Sequence, residues 1–193
     1  MKVKKIGALC KAQMQCLLFD ELSPEGEIVR QWISNGLAMW PVSGLPQLTA
    51  ANLGTLFDFS PEQVKKMRIK EDALPEDLCG LCYDLRDEEE ELIESSIRIL
   101  EDGVELMALT VGGTVLWLNS ALLAPCWAKE TKLVRREHAD IKAVAVLDGL
   151  FLSGIILPAL PSTGVYQELI RLGTSRERPT LQSDAPENED ADR

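Results

Sequence analysis

The chain runs to 193 residues, 46% of them hydrophobic and 26% charged, with a formal net charge of −11. That make-up suits a globular protein able to bury a core without disulfide or metal staples, and its acidity argues against general binding to polyanions. The hydrophobic runs fall well short of the ~20 residues a membrane-crossing helix needs, so a membrane partner is not expected.

Residues 3–13 place Ile6, Leu9, Cys10 and Gln13 at helical spacing, which predicts a short amphipathic helix. Three antiparallel strands are expected over 15–42. Gln15–Phe19 comes first, and Glu27–Ile33 follows the Pro24 to Gly26 turn. Leu37–Trp40 comes after Asn35-Gly36, a pairing that favours a tight hairpin. Thr49 is placed to cap a helix reaching Phe57. Ser60, Pro61 and Gln63 form a capping signal for a second helix through about Arg68. Lys70–Asp77 then reads as a loop, Leu78–Leu85 as a strand, and Asp87–Glu91 as a solvated turn.

β-structure resumes as a meander over Ser95–Leu100, Val104–Val111 and Thr114–Leu118. Its turns, Asp102-Gly103 and Gly112-Gly113, offer the positive φ angles that primed hairpin turns demand. Asn119 caps a short turn over Ser120–Leu123, and Lys132–Arg136 is one more strand. Ile141–Leu147 and Leu150–Leu157 make a hairpin so apolar on both faces that it belongs inside a covered sheet. A last helix is expected over Gly164–Leu172, and residues 174–193 have the composition of a disordered acidic tail. The fold class is therefore α+β, built on antiparallel sheet with short flanking helices. It forms one domain over 1–173, or two closely packed lobes over about 1–70 and 78–173. Hairpin followed by helix recurs near 15–57, 94–123 and 141–172, which suits an internal duplication or, more simply, ordinary α+β alternation.

Charge is concentrated. Glu71 to Glu105 holds 14 of the 31 carboxylates and two basic residues, a local net of −12, whereas the rest of the chain nearly cancels. A field of that size repels nucleic acid and attracts basic surfaces. Two basic clusters, Lys2/Lys4/Lys5/Lys11 and Lys129/Lys132/Arg135/Arg136, either pair with this segment inside the molecule or contact nucleic acid. The first outcome is favoured because no aromatic residues are interleaved for base stacking.

Catalytic signatures are sparse. Cys79-Gly-Leu-Cys82 is the only spacing suited to metal or redox chemistry. Its companions for zinc, Cys10 with Cys16 or Cys126 with His138, complete no familiar pattern. The flanking carboxylates Glu76, Asp77 and Asp84 disfavour thiolates. With five cysteines, an odd number, and no signal-peptide core after the basic Met1–Lys5 start, reduced thiols in a bacterial cytoplasm are expected. His138, alone of its kind, sits in a polar stretch with no nucleophile elbow in the chain. Val111-Gly-Gly-Thr114 lacks the lysine of a phosphate loop. No enzyme, metal or cofactor is expected. Trp32 and Trp40 read as core residues unless strand alternation turns one outward.

The pattern Leu17-Leu-Phe-Asp20, Gln31-Trp-Ile-Ser-Asn-Gly36, Gly44-Leu-Pro46 and Leu53-x-x-Leu-Phe57 resembles small proteins carried by phages and mobile elements of Firmicutes. That resemblance implies an accessory role, and among such acidic proteins are the anti-CRISPR inhibitors of type II RNA-guided nucleases. It implies a non-enzymatic binding protein whose acidic surface engages a basic partner, such as a nuclease of that kind, and blocks nucleic-acid access. The residues assigned to that contact are Asp87, Glu88, Glu89, Glu90, Glu91 and Glu94. The alternative is a sliding-clamp-like or scaffold subunit of phage DNA replication. It requires both basic clusters on one concave face.

Overall fold

The computed structural model describes residues 2–86, 89–126, 128, 130–162 and 164–165. The chain divides after Leu160 into two compact units. The first is an α+β unit. In the second, Gly164 and Val165 are helical, and the rest of the expected helix and tail lies outside the described residues.

A seven-stranded sheet organises the first unit. After helix α1 (Val3–Gln13), the chain forms β1 (Gln15–Leu22), β2 (Ile28–Ser34) and β3 (Ala38–Pro41). Helices α2 (Ala50–Leu56) and α3 (Pro61–Lys66) then lead into β4 (Arg68–Ala73). The last three strands, β8 (Thr131–His138), β9 (Ile141–Asp148) and β10 (Phe151–Ile156), complete it in the order β4-β1-β2-β3-β10-β9-β8. Among the described strands, β4 and β1 alone run parallel. Between β4 and β8 in sequence come the single-turn helix α4 (Glu76–Cys79) and a separate three-stranded sheet of β5 (Ile93–Glu101), β6 (Val104–Val111) and β7 (Thr114–Asn119).

Local chemistry explains the boundaries. Asn35 Oδ1 accepts from the N–H groups of Leu37 and Ala38, and Gly36 takes φ +88°, so the Asn-Gly turn forms where the sequence places it. Ser60 Oγ accepts from the Gln63 N–H while Gln63 Oε1 accepts from the Ser60 N–H, a reciprocal cap on α3. Asp102-Gly103 and Gly112-Gly113 all have positive φ, as primed turns require. Buried Gln31 turns the chain after β3 by bonding both the N–H and the carbonyl of Leu48.

Each face of the large sheet is covered differently. One face presents Leu18, Ile33, Trp40, Leu133, Val144, Val146 and Ile156 to α1, α2 and the inner face of the small sheet, where Ile6, Leu53, Met107, Leu109 and Leu118 pack. The opposite face presents Trp32, Met39, Val134, Ala145, Leu147 and Ile155 to a strap formed by Leu74, Leu78, Leu81, Cys82 and Leu85. The apolar β9–β10 hairpin thus sits inside the sheet with both faces covered, as expected. Both tryptophans are buried, on opposite faces, so neither is turned outward.

Two expected elements are corrected. Lys70–Asp77 is not a loop throughout: its first half belongs to β4, because the free edge of β1 pairs with it through Arg68 N–H to Met14 O and Leu74 N–H to Asp20 O. Leu78–Leu85 is not a strand. It is the end of α4 followed by irregular backbone, held by burial rather than by a ladder. The three hairpin–helix segments fall in two different sheets, which favours plain alternation over duplication.

Candidate functional site

The acidic stretch does not stand free as a patch. Its apolar residues, Leu74, Leu78, Leu81, Cys82 and Leu85, recur irregularly between carboxylates, and they lay it across the large sheet. Residues 90–92 then add to the outer edge of β8. Arg135 N–H donates to Glu90 O at 3.0 Å, Leu92 N–H donates to Leu133 O at 2.7 Å, and Glu91 bridges Val134. That edge is thereby closed before the chain passes into β5.

Arg136 anchors the strap. Strand alternation turns it onto the same face as Val134, where its side chain is fully buried. A guanidinium there is tolerable only if its donors are satisfied. Glu89 meets it bidentately, with Nε to Oε1 at 2.6 Å and Nη2 to Oε2 at 3.1 Å. Nη1 donates to the carbonyls of Leu81 at 2.8 Å and Tyr83 at 2.5 Å, and Nη2 reaches the Asp84 carbonyl at 3.4 Å. The Tyr83 ring lies 3.8 Å from Arg136 and 3.5 Å from Arg86. Burial pushes the Glu89 pKa upward. The Arg136 hydrogen bonds, the Arg86 N–H and the Arg136 charge outweigh it, so the carboxyl sits below its ordinary value.

The six residues assigned to partner contact divide accordingly. Asp87 and Glu88 lie outside the described residues. Glu89 is buried against Arg136, which withdraws it from any outside partner. Glu90 pairs with Arg135 at 2.7 Å, Glu91 with Lys132 at 3.9 Å, and Glu94 with Arg98. Those three carboxylates keep 53%, 59% and 44% of their side-chain surface exposed. The four described members are therefore matched one for one by the molecule's own cations. Of the second basic cluster, Lys132, Arg135 and Arg136 pair internally, the favoured outcome, and Lys129 lies outside the described residues. Arg135 and Arg136 also point to opposite faces of the sheet, which removes the single basic face a clamp requires.

Part of the charge that has no ion pair among the described residues lies earlier in the segment. Asp72 near the end of β4 and Glu76 and Asp77 in α4 are exposed, and none takes part in an ion pair among the described residues. β4 is the open edge of the large sheet. These residues belong to the acidic segment evident in the sequence but lie outside its densest run, 87–91. The missed signal was Arg136 itself: an arginine between Val134 and an apolar hairpin, on the buried register of a strand, demands a carboxylate from elsewhere.

The cysteines separate by face. Cys10, Cys16 and Cys126 pack with the helical side, and Cys82 belongs to the strap on the opposite face, with the sheet between. No group of three His, Cys, Asp or Glu side chains among the described residues could hold a metal ion. Burial raises the thiol pKa of Cys79, with Glu21 and Glu76 adding to it, and pushes Cys82 up to about 12 with help from Glu21. A cleft of about 570 Å³ where β3 ends is lined by Arg30, Trp40, Asp84, Cys126 and Phe151. Asp84 is already committed there to the Leu152 N–H. No helix among the described residues is long and apolar enough to cross a membrane.

No protein-family model matches the chain, and neither does any curated protein or solved structure.

Proposed function

We propose that this chain is a non-enzymatic binding protein of a phage or mobile element, acting in the cytoplasm of a bacterial host. Its anionic surface engages a basic, nucleic-acid-binding partner and keeps nucleic acid away, as an anti-CRISPR inhibitor of an RNA-guided nuclease does. The observation that carries this reading is the exposed set Asp72, Glu76 and Asp77 beside β4 at the sheet's edge, none of them in an ion pair among the described residues. Glu90, Glu91 and Glu94 form a second ring of contacts. Solvent-exposed ion pairs are worth only about 0–1 kcal/mol, so a partner's lysines and arginines can exchange with the intramolecular ones. Glu89 takes no part, because moving it strands a buried arginine.

The test is competition for a guide-loaded type II nuclease, read as loss of labelled target duplex from the nuclease at ~50 and ~300 mM salt. The wild-type chain is expected to displace duplex at low salt and lose that ability steeply at high salt. A D72N/E76Q/D77N variant should be the most impaired, and E90Q/E91Q/E94Q less so. Displacement that ignores salt, or survives both triple substitutions, sinks the proposal, as does no displacement at all.

A further inference from the structure

The two thiols of the Cys79-Gly-Leu-Cys82 turn, whose Leu81 carbonyl accepts from Arg136, take part in neither the ion pairs nor the proposed partner contact. Its geometry is that of a closed loop. Cys79 N–H donates to Pro75 O at 3.0 Å as the last residue of α4, and Cys82 N–H donates to Cys79 O at 3.0 Å. A four-residue turn closed by that bond keeps its end Cα atoms within about 7 Å, the outer bound for a disulfide formed without backbone movement. Cys82 Sγ donates to the Leu78 carbonyl at 3.1 Å, which sets the sulfur beside the peptide that carries Cys79. Access differs between the two thiols: Cys79 is exposed, whereas Cys82 retains 7% of its surface. His138, the chain's single histidine, lies on the turn from the end of β8. Its ring is so close that a Cβ on Gly80 would fall 2.2 Å from Cδ2.

We propose that Cys79 and Cys82 form a thiol–disulfide exchange site for small-molecule disulfides of the glutathione class, Cys79 attacking and Cys82 resolving. The Cys79 thiolate attacks one sulfur of glutathione disulfide, releasing one glutathione thiolate that takes up a proton. Cys82 then loses its proton and attacks the Cys79 sulfur of the mixed disulfide, releasing the second glutathione. Two protein thiols become one disulfide, and one glutathione disulfide becomes two glutathiones. Desolvation of the Cys79 thiol, with the carboxylates Glu21 and Glu76 adding to it, disfavours the thiolate and sets the pace of the first step.

The test treats the reduced full chain with glutathione disulfide at pH 8 and follows each cysteine by peptide mass mapping. Wild type is expected to end as a Cys79–Cys82 disulfide, with Cys10, Cys16 and Cys126 unreacted. C82S should stop with glutathione on Cys79, and C79S should leave Cys82 unmodified. E76Q should speed the first step several-fold by raising the thiolate fraction. Circular dichroism establishes that each variant is folded. The proposal is overturned if wild type stops at the mixed disulfide, if Cys82 reacts first, or if the buried cysteines react as fast as Cys79.

Discussion

The two faces of the large sheet are covered by opposite means. On one, regular elements with periodic apolar residues dock: α1 with Ile6 and Cys10, α2 with Leu53, and the inner face of the small sheet with Met107 and Leu109. On the other, an acidic segment with one turn of helix is fastened by scattered leucines and one buried ion pair. Many small contributions stabilise the first cover. The second concentrates its stability in a few residues, so single substitutions separate the two.

The largest effect belongs to Arg136. Arg136→Ala leaves Glu89 buried without its cation and the Leu81 and Tyr83 carbonyls without a donor, and Glu89→Gln leaves the guanidinium unmatched. Each is expected to cost about 3–5 kcal/mol in urea denaturation at pH 7. A double variant, Arg136→Met with Glu89→Leu, should lose less than the two singles combined, because no charge is then stranded. Leu81→Ala, at a site 1% exposed, should cost about 2–5 kcal/mol. Leu53→Ala beneath α2 should fall in the same range. Hydrogen exchange separates these two leucine variants. Leu81→Ala should speed exchange across 76–92 while the sheet amides stay protected, the pattern of a locally opening unit. Uniform acceleration across both covers would show that strap and sheet open together.

Acid sharpens the contrast further. A carboxylate whose pKa is lower folded than unfolded contributes stability above its unfolded pKa, about 4.3 for glutamate, and loses it as pH falls through the folded value. Glu89 is shifted in that direction. Wild type is therefore expected to lose stability progressively below about pH 4–5, with Glu89→Gln showing a shallower loss over the same window. Parallel acid profiles for the two proteins would mean that other carboxylates dominate.

Legibility in the sequence follows the same division. α1, the β1–β3 hairpins, the Ser60 cap, the meander and the β9–β10 hairpin were readable because each carries its own signal: a period, an Asn-Gly or Asp-Gly turn, a reciprocal cap. β4 was not, since Arg-Ile-Lys-Glu-Asp-Ala has no apolar alternation; it is a strand because the edge of β1 required a partner. Nor was the strap legible, because its order comes from contacts some fifty residues away in sequence, Glu89 to Arg136 above all. A dense run of carboxylates reads as a solvated surface when each is considered alone. Here one of them is the counter-ion that lets an arginine sit inside the sheet's covered face.

The smallest predicted effect bears most directly on function. Glu90→Gln and Glu91→Gln remove exposed ion pairs with Arg135 and Lys132, and each should change stability by no more than about 1 kcal/mol in the same urea assay. The backbone bonds of 90–92 to β8 remain in both variants and hold that edge without the side chains. A contact that costs the fold so little can be surrendered to a competing cation at equally little cost. If either substitution destabilises the chain as much as Glu89→Gln does, that outer carboxylate is a fastener too, and the contact with a basic partner falls back on Asp72, Glu76 and Asp77.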